Sequence, residues 1–330
     1  MATTRWNDTE SQSINDTLNK ILTHENAEDT SSDKTRYSNW QTTKTFSDNL
    51  KYQFNNKEIE FNYISFSYDT ITPDDGQPVE DRTTNHRGFI ILYWNGQSVN
   101  YIINQKAYAL TILRKLLGYT GRNKIIQVKK DIASDFFLWL IYKVYSLENV
   151  FERDDEQEST KNITIEMIRG IKGETDDTLT KVSANGDSVM NIISTLSFLL
   201  ESREFNQICI DINYMKHSHI ELTLDTKGTI NTSVEAYCGE FDTGKETKEE
   251  VTAKLFLLIY LEVFPFIYQT YILEKDDSLW NKDINIEFLN QVADDLSTRV
   301  KEKIELLNSV VSQANLQRVR QDNMQEVNLA

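Results

Sequence analysis

The chain has 330 residues, enough for one large domain or two of ordinary size, and its hydrophobic fraction of 39% is adequate for a core. A formal charge of −16 argues against attachment to nucleic acid or anionic lipid by the surface as a whole. Two cysteines, Cys209 and Cys238, speak against a disulfide framework, and Met1 to Trp40 shows no apolar secretory core, so a reducing, cytoplasmic setting is expected.

Residues 1–40 are rich in Thr, Ser, Asn and Asp and are expected to form a mobile polar tail. Within them Ile14, Leu18, Ile21 and Leu22 share one helical face, and so short a piece is expected to fold back on its own domain. Residues 41–155 read as an N-terminal α+β domain. Tyr52 and Phe54 alternate, Asn55-Asn56 makes a turn, and Ile59, Phe61 and Tyr63 alternate again. The phase slips at Tyr63-Ile64 before Phe66 and Tyr68, which predicts a bulge. Asn95-Gly96 joins Phe89–Trp94 to Val99–Ile103 as a hairpin. Asn104 is expected to cap a helix over 105–117 that Gly118 ends. A strand at 125–128 and an apolar helix over 134–147 follow.

The charged run from Glu152 to Lys161 is the expected boundary. Residues 156–245 read β-β-α-β-β-β, with a tight turn at Asp225-Thr226-Lys227-Gly228. Residues 246–330 are expected to be helical. Thr247-Lys248-Glu249-Glu250 is a capping box that opens the longest apolar run of the chain, Thr252 to Leu273. About 20 apolar residues are enough to cross a bilayer. Glu262, near the middle, would cost roughly 2.5–3.5 kcal/mol there, and the flanks carry no charge asymmetry, so a core helix and no membrane are expected. Pro265 should break its hydrogen-bond ladder. After Asp283 a last helix places Leu289, Ala293, Leu296, Val300, Ile304, Leu307, Val311 and Ala314 three and four residues apart, with one stutter. Such a stripe suits a homodimer through 284–315 or packing along the same chain. The expected class is α+β, with strand-rich hairpin layers on two nearly all-apolar helices and a long C-terminal amphipathic helix.

Charge distribution points to chemistry more than any motif does. From 82 to 130 there is no acidic residue and nine basic ones, which leaves −25 for the rest of the chain. Within this island Arg114, Lys115, Gly118, Gly121, Arg122, Lys124, Lys129 and Lys130 are the candidate polyanion-binding residues. Lys and Arg would neutralise phosphates, and the glycines at 118 and 121 would let backbone amides converge on an anion. Tyr93, Trp94, Tyr101 and Tyr108 are candidate faces for stacking on bases. The alternative is neutralisation by acidic groups of the same chain or of a partner protein. A second candidate, a metal site of a hydrolase or nuclease, would use Asp211, His217, His219 and Glu221. No Gly-x-Ser-x-Gly, phosphate-binding loop or dinucleotide fingerprint occurs. The expected function is therefore a non-enzymatic binding component without a cofactor, contacting nucleic acid or an acidic protein surface, of the kind found as accessory subunits in bacterial defence or stress complexes. A dimeric interaction scaffold is the other alternative.

Overall fold

The computed structural model describes residues 1–23, 29–30, 34–54, 56–73, 76–120, 123–153, 161–175, 181–185 and 193–327. The chain is α+β. Its first part runs β1 (Ala2–Asp8), α1 (Ile14–Thr23), β2 (Asp29–Thr30), β3 (Arg36–Lys44), β4 (Leu50–Phe54), β5 (Lys57–Ile71), β6 (Thr83–Trp94), β7 (Val99–Ile103), α2 (Ala109–Leu117), β8 (Ile125–Gln127) and α3 (Ser134–Tyr145). The remainder runs β9 (Val150–Arg153), β10 (Lys161–Thr175), β11 (Lys181–Asn185), α4 (Ile193–Glu201), β12 (Ser202–Tyr214), β13 (His217–Asp225), β14 (Ile230–Thr232), β15 (Cys238–Gly239), α5 (Lys248–Leu258), α6 (Phe264–Asp276) and α7 (Lys282–Val327).

The strands join into one antiparallel sheet in the order β11-β10-β12-β13-β14-β1-β7-β6-β5-β3-β2. β1 is the link between its two halves. Ala2 and Thr3 pair with β14, while Thr4 to Asn7 pair with β7 on the opposite edge. Trp6 to Asp8 also pair with β8. The expected mobile tail is thus, over its first eight residues, the central strand of the sheet. Its polar composition concealed this because Thr3, Thr4, Trp6 and Asp8 are satisfied inside the fold. The Thr3 hydroxyl donates to the Ile230 carbonyl, the Thr4 hydroxyl donates to the Gln105 carbonyl, and the Trp6 indole donates to Thr4. Asp8, fully buried, accepts from the Ser11 amide and from the Tyr101 and Tyr119 hydroxyls. α1 folds back as expected, burying Ile14, Leu18 and Ile21.

Two cores lie on opposite faces of the N-terminal half-sheet. The smaller one holds α1 and α2 against Ile64, Phe66, Ile90, Leu92, Tyr101 and Ile103. The larger one holds α3, α5 and α6 against Phe61, Tyr63, Ile91 and Ile102, and continues beneath β10, β12 and β13. This division explains the phase slip at Tyr63-Ile64. β5 pairs with β6 without interruption from Glu60 to Ile71, so the expected bulge is absent. Instead, the first half of the strand buries one face and the second half the other. Asn104 does not cap α2. Its side-chain oxygen accepts from the Phe89 amide at 2.6 Å, and α2 starts at Ala109.

The apolar run is buried as a core helix. By length and composition Lys248–Asp276 could cross a membrane, yet 72% of its apolar window is inside the fold. Half of the expected capping box forms: the Glu250 amide donates to the Thr247 hydroxyl at 3.2 Å, while the Glu250 carboxylate pairs with Lys254. The break at Pro265 takes the form of a π turn, Ile259–Val263, between α5 and α6. Proline offers no amide and its ring crowds the carbonyl four residues back; widening the preceding turn removes both conflicts. α7 packs at its root, where Phe288 and Val292 are buried and the Tyr145 hydroxyl donates to Asp295. From Val300 to Val310 every residue is exposed, although the helix continues to Val327.

Candidate functional site

The basic island does not form one surface. Arg114 and Lys115 lie in the last turn of α2, where cations complement the helix dipole. Gly118 caps that helix in the left-handed region at φ 65°, and its amide and that of Tyr119 donate back to the carbonyls of Lys115 and Arg114. These amides are spent on the cap. The Arg114 guanidinium is likewise spent, donating to the Tyr119 and Thr120 carbonyls. Gly121 and Arg122 lie outside the described residues.

Around this helix end the cations meet tyrosine rings. Lys115 lies 4.5 Å from the Tyr37 ring centre. Lys20, from the end of α1, and Lys124 lie 5.7 and 5.1 Å from that of Tyr119. Glu10 approaches Lys124 at 3.9 Å. Tyr37 belongs to a stack with Tyr68 and the half-buried Trp40, whose ring is 4.4 Å from Tyr68. Of the aromatic residues expected as stacking faces, Tyr93 and Tyr101 are fully buried and Trp94 packs against the smaller core; only Tyr108 is exposed. Tyr37, Trp40 and Tyr68 stack on one another here, but Tyr37 and Tyr68 are buried and only Trp40 is partly exposed. Their sequence signal was hidden, because the residues were read partly as tail and partly as an ordinary strand.

The other island cations go elsewhere. Lys106 pairs with Asp225 at 2.6 Å, and Lys129 pairs with Asp131. Lys130 lies 4.4 Å from the Tyr268 ring centre and 5.9 Å from that of Phe264, both on α6. Lys124 and Lys130 therefore stand at opposite ends of β8.

The metal candidate comes apart at the β12–β13 turn. Asp211 and Glu221 are register partners and share a face. A register shift between Ile212 and Tyr214 turns His217 to the other face, where it is buried against Phe241 and its Nδ1 bonds with the Tyr237 hydroxyl at 2.6 Å. His219 Nδ1 approaches Asp211 at 3.6 Å, and Arg169 donates to the same carboxylate at 2.5 Å. Among the described residues no group of three His, Cys, Asp or Glu side chains converges as a metal site.

Glu262 sits in the π turn and accepts from the Tyr214 hydroxyl at 2.6 Å. Lys254, two turns earlier on α5, pairs with Glu250 at 2.7 Å. The cavity beside Glu262, about 220 Å³, is lined by Tyr52, Tyr214, His217 and Glu240. Tyr52 donates its hydroxyl to Glu240, so the phenols and carboxylates of this cavity satisfy each other. No protein-family model matches the chain, and no curated protein matches it.

Proposed function

We propose that this chain is a non-enzymatic assembly component that works as a homodimer, joined through the exposed part of α7. One observation carries the reading. Val300, Ile304, Leu306, Leu307 and Val310 are 38–57% exposed on a helix whose root is packed into the body. A stripe with coiled-coil spacing whose apolar side chains stay exposed among the described residues calls for a second helix.

Charge favours a second copy of the same chain. Residues 299–330 carry five basic and four acidic groups, whereas residues 1–298 carry 30 and 47. Two copies thus repel through their bodies but not along this helix. Antiparallel pairing about Leu307 sets position 300 level with 314 and position 304 level with 310 of the partner. It sets Lys301 and Lys303 level with the uncharged positions 313 and 311. A parallel pair would place each lysine level with its own copy and bring the two acidic bodies together at the helix roots. The helix from 300 to 327 is about 42 Å long at 1.5 Å per residue, well beyond a Debye length of about 8 Å. Antiparallel pairing is therefore the arrangement proposed.

Light scattering on sized full-length protein tests this, comparing the wild type with an Ile304→Glu/Leu307→Glu variant. The expected result is a dimer that becomes a monomer with an unchanged melting temperature. A monomeric wild type at micromolar concentration, or a dimeric variant, overturns the reading.

A second reading rests on the cations over tyrosine rings at the α1 and α2 ends. Lysines beside partly exposed rings, here Tyr119 and Trp40, are what a single-stranded nucleic acid binds without base readout. Changing Lys20, Lys115 and Lys124 together to Gln should abolish salt-dependent binding of a fluorescent oligothymidylate; binding that persists in the triple variant removes it.

A further inference from the structure

The pairing of β1 leaves one position with unusual surroundings. On one edge β1 pairs with β14 at Ala2 and Thr3, and with β8 at Trp6 to Asp8. Arg5 falls in the gap between those two partners. The segment following β8 passes this gap, and the Val128 amide donates to the Arg5 carbonyl at 2.9 Å. Two residues further on is Lys130, whose carbonyl lies against the Gly228 turn. Gly228 has φ +72°, and a Cβ there would meet the Lys130 carbonyl at 2.9 Å, so the backbone at 130 is held closely to that turn.

Two cations are thus brought to the mouth of one gap, and neither pairs with a carboxylate among the described residues. The Arg5 guanidinium lies over the Tyr93 ring at 5.7 Å, and Lys130 lies over Tyr268. The nearby carboxylate, Asp225, is already occupied by Lys106 and by the Lys227 and Thr229 amides. Two buried polar atoms at the gap also lack a partner, Arg5 Nε and the hydroxyl of the fully buried Tyr93. Partial burial lowers the Lys130 ammonium from its ordinary value, and the charge of Arg5 adds to that lowering. Burial pushes the Tyr93 hydroxyl up to about 12, against an opposing pull from Arg5, so it stays a proton donor at neutral pH.

We propose that the gap on β1 between β14 and β8 binds a phosphate group, held by the Arg5 guanidinium and the Lys130 ammonium. A donor fork on Arg5 matches a tetrahedral oxyanion, and a dianion neutralises two cations where a single carboxylate neutralises one. The Tyr93 hydroxyl is the third donor available to it. The rings of Phe264 and Tyr268 flank the Lys130 side and provide a face for an organic group carried on the phosphate. This site is separate from the α2 end and from α7, so it stands or falls independently of both readings above.

The test is isothermal titration of the full chain with inorganic phosphate and, in a second arm, with adenosine monophosphate. Saturable one-site binding of inorganic phosphate is expected, weakened about tenfold or more by Lys130→Gln and by Arg5→Gln, because each charged hydrogen bond is worth about 1.5–3 kcal/mol. Position 130 takes no part in the pairing of β1, so its variant keeps the fold even if Arg5→Gln disturbs β1. Tighter binding of the nucleotide identifies a phosphate ester as the ligand, and equal binding identifies free phosphate. No saturable binding in either arm, or binding unchanged in Lys130→Gln, overturns the proposal.

Discussion

The two long helical runs of this chain, α5–α6 and α7, are built for opposite surroundings. α5–α6 is apolar on nearly every side and is enclosed, with Leu255, Phe256, Ile259 and Ile267 scarcely reached by solvent. α7 is apolar along one stripe and encloses that stripe only at its root. The same residue types are therefore held by different partners. In α5–α6 the partner is the sheet of the same chain. In the outer part of α7 the fold supplies none among the described residues, and pairing with another chain is the proposal that follows. What separates them is how much of the helix surface is apolar, since an all-round apolar helix has no stable exposed state and a striped one has.

That contrast is sharpest when one substitution is made in both places. Leu255→Ala should cost about 2–5 kcal/mol, because the side chain is fully buried and its neighbours in the large core close the void only in part. Urea denaturation with an unchanged m-value measures it. A loss below about 1 kcal/mol would mean that α5 is less firmly enclosed than its burial indicates. Next in size is the start of the same helix. Thr247→Ala removes the acceptor of the Glu250 amide and should cost about 1 kcal/mol, whereas Thr247→Asp should restore most of it. Equal losses in the two variants would show that the cap is not what starts α5.

The Thr247 cap, the Asn95-Gly96 hairpin, the Asp225–Gly228 turn and the apolar helices were legible because each depends on neighbours in sequence. Gly96 and Gly228 take φ of +95° and +72°, conformations that glycine adopts freely. β1 was not legible. Its residues, Ala-Thr-Thr-Arg-Trp-Asn-Asp, have no apolar alternation, and its stability comes from strands about 100 and 230 positions away in sequence. β5 misled for a related reason. A change of buried face along one strand has the same sequence pattern as a bulge, and only the position of α1 and α2 distinguishes them. The histidines of β13 were read as sharing a face because alternation was assumed through a turn where the register shifts. The island from 82 to 130 is real as a charge count, but secondary structure sends its residues to the two ends of β8 and to separate partners.

A smaller effect distinguishes the surroundings by pH. His217 borders the α5 side of the core, facing Phe241, Tyr214 and the Tyr237 hydroxyl, with Glu240 and Lys216 as the charged groups nearby. Burial lowers its pKa below the ordinary 6.5, followed by opposing contributions from Glu240 and Lys216. Above pH 6.5 the imidazole is neutral in both folded and unfolded chains and costs nothing. As the pH falls below 6.5 the unfolded chain takes up a proton that the folded chain refuses, and stability drops until the folded pKa is reached. His217→Phe should remove this part of the acid sensitivity, read as a flatter urea midpoint between pH 7.5 and 5. A slope equal to the wild type would assign the acid loss to other groups.

The smallest effect on the folded body is the one that carries the contrast furthest. Leu307→Ala deletes the same atoms as Leu255→Ala, yet Leu307 is 54% exposed where Leu255 is fully buried. A surface change of this kind alters stability by less than about 0.5 kcal/mol. If α7 pairs about Leu307, each dimer loses two leucine side chains from the centre of its seam, and burial of a leucine is worth about 1.5–3 kcal/mol. Dissociation measured by sedimentation should then strengthen by at least about a hundredfold, while unfolding of the dilute monomer stays where it was. The two measurements separate the possibilities cleanly. A large fall in monomer stability would place Leu307 in the body's own packing. An unchanged dissociation constant would leave the stripe of α7 without the second helix that its spacing and its charge balance call for.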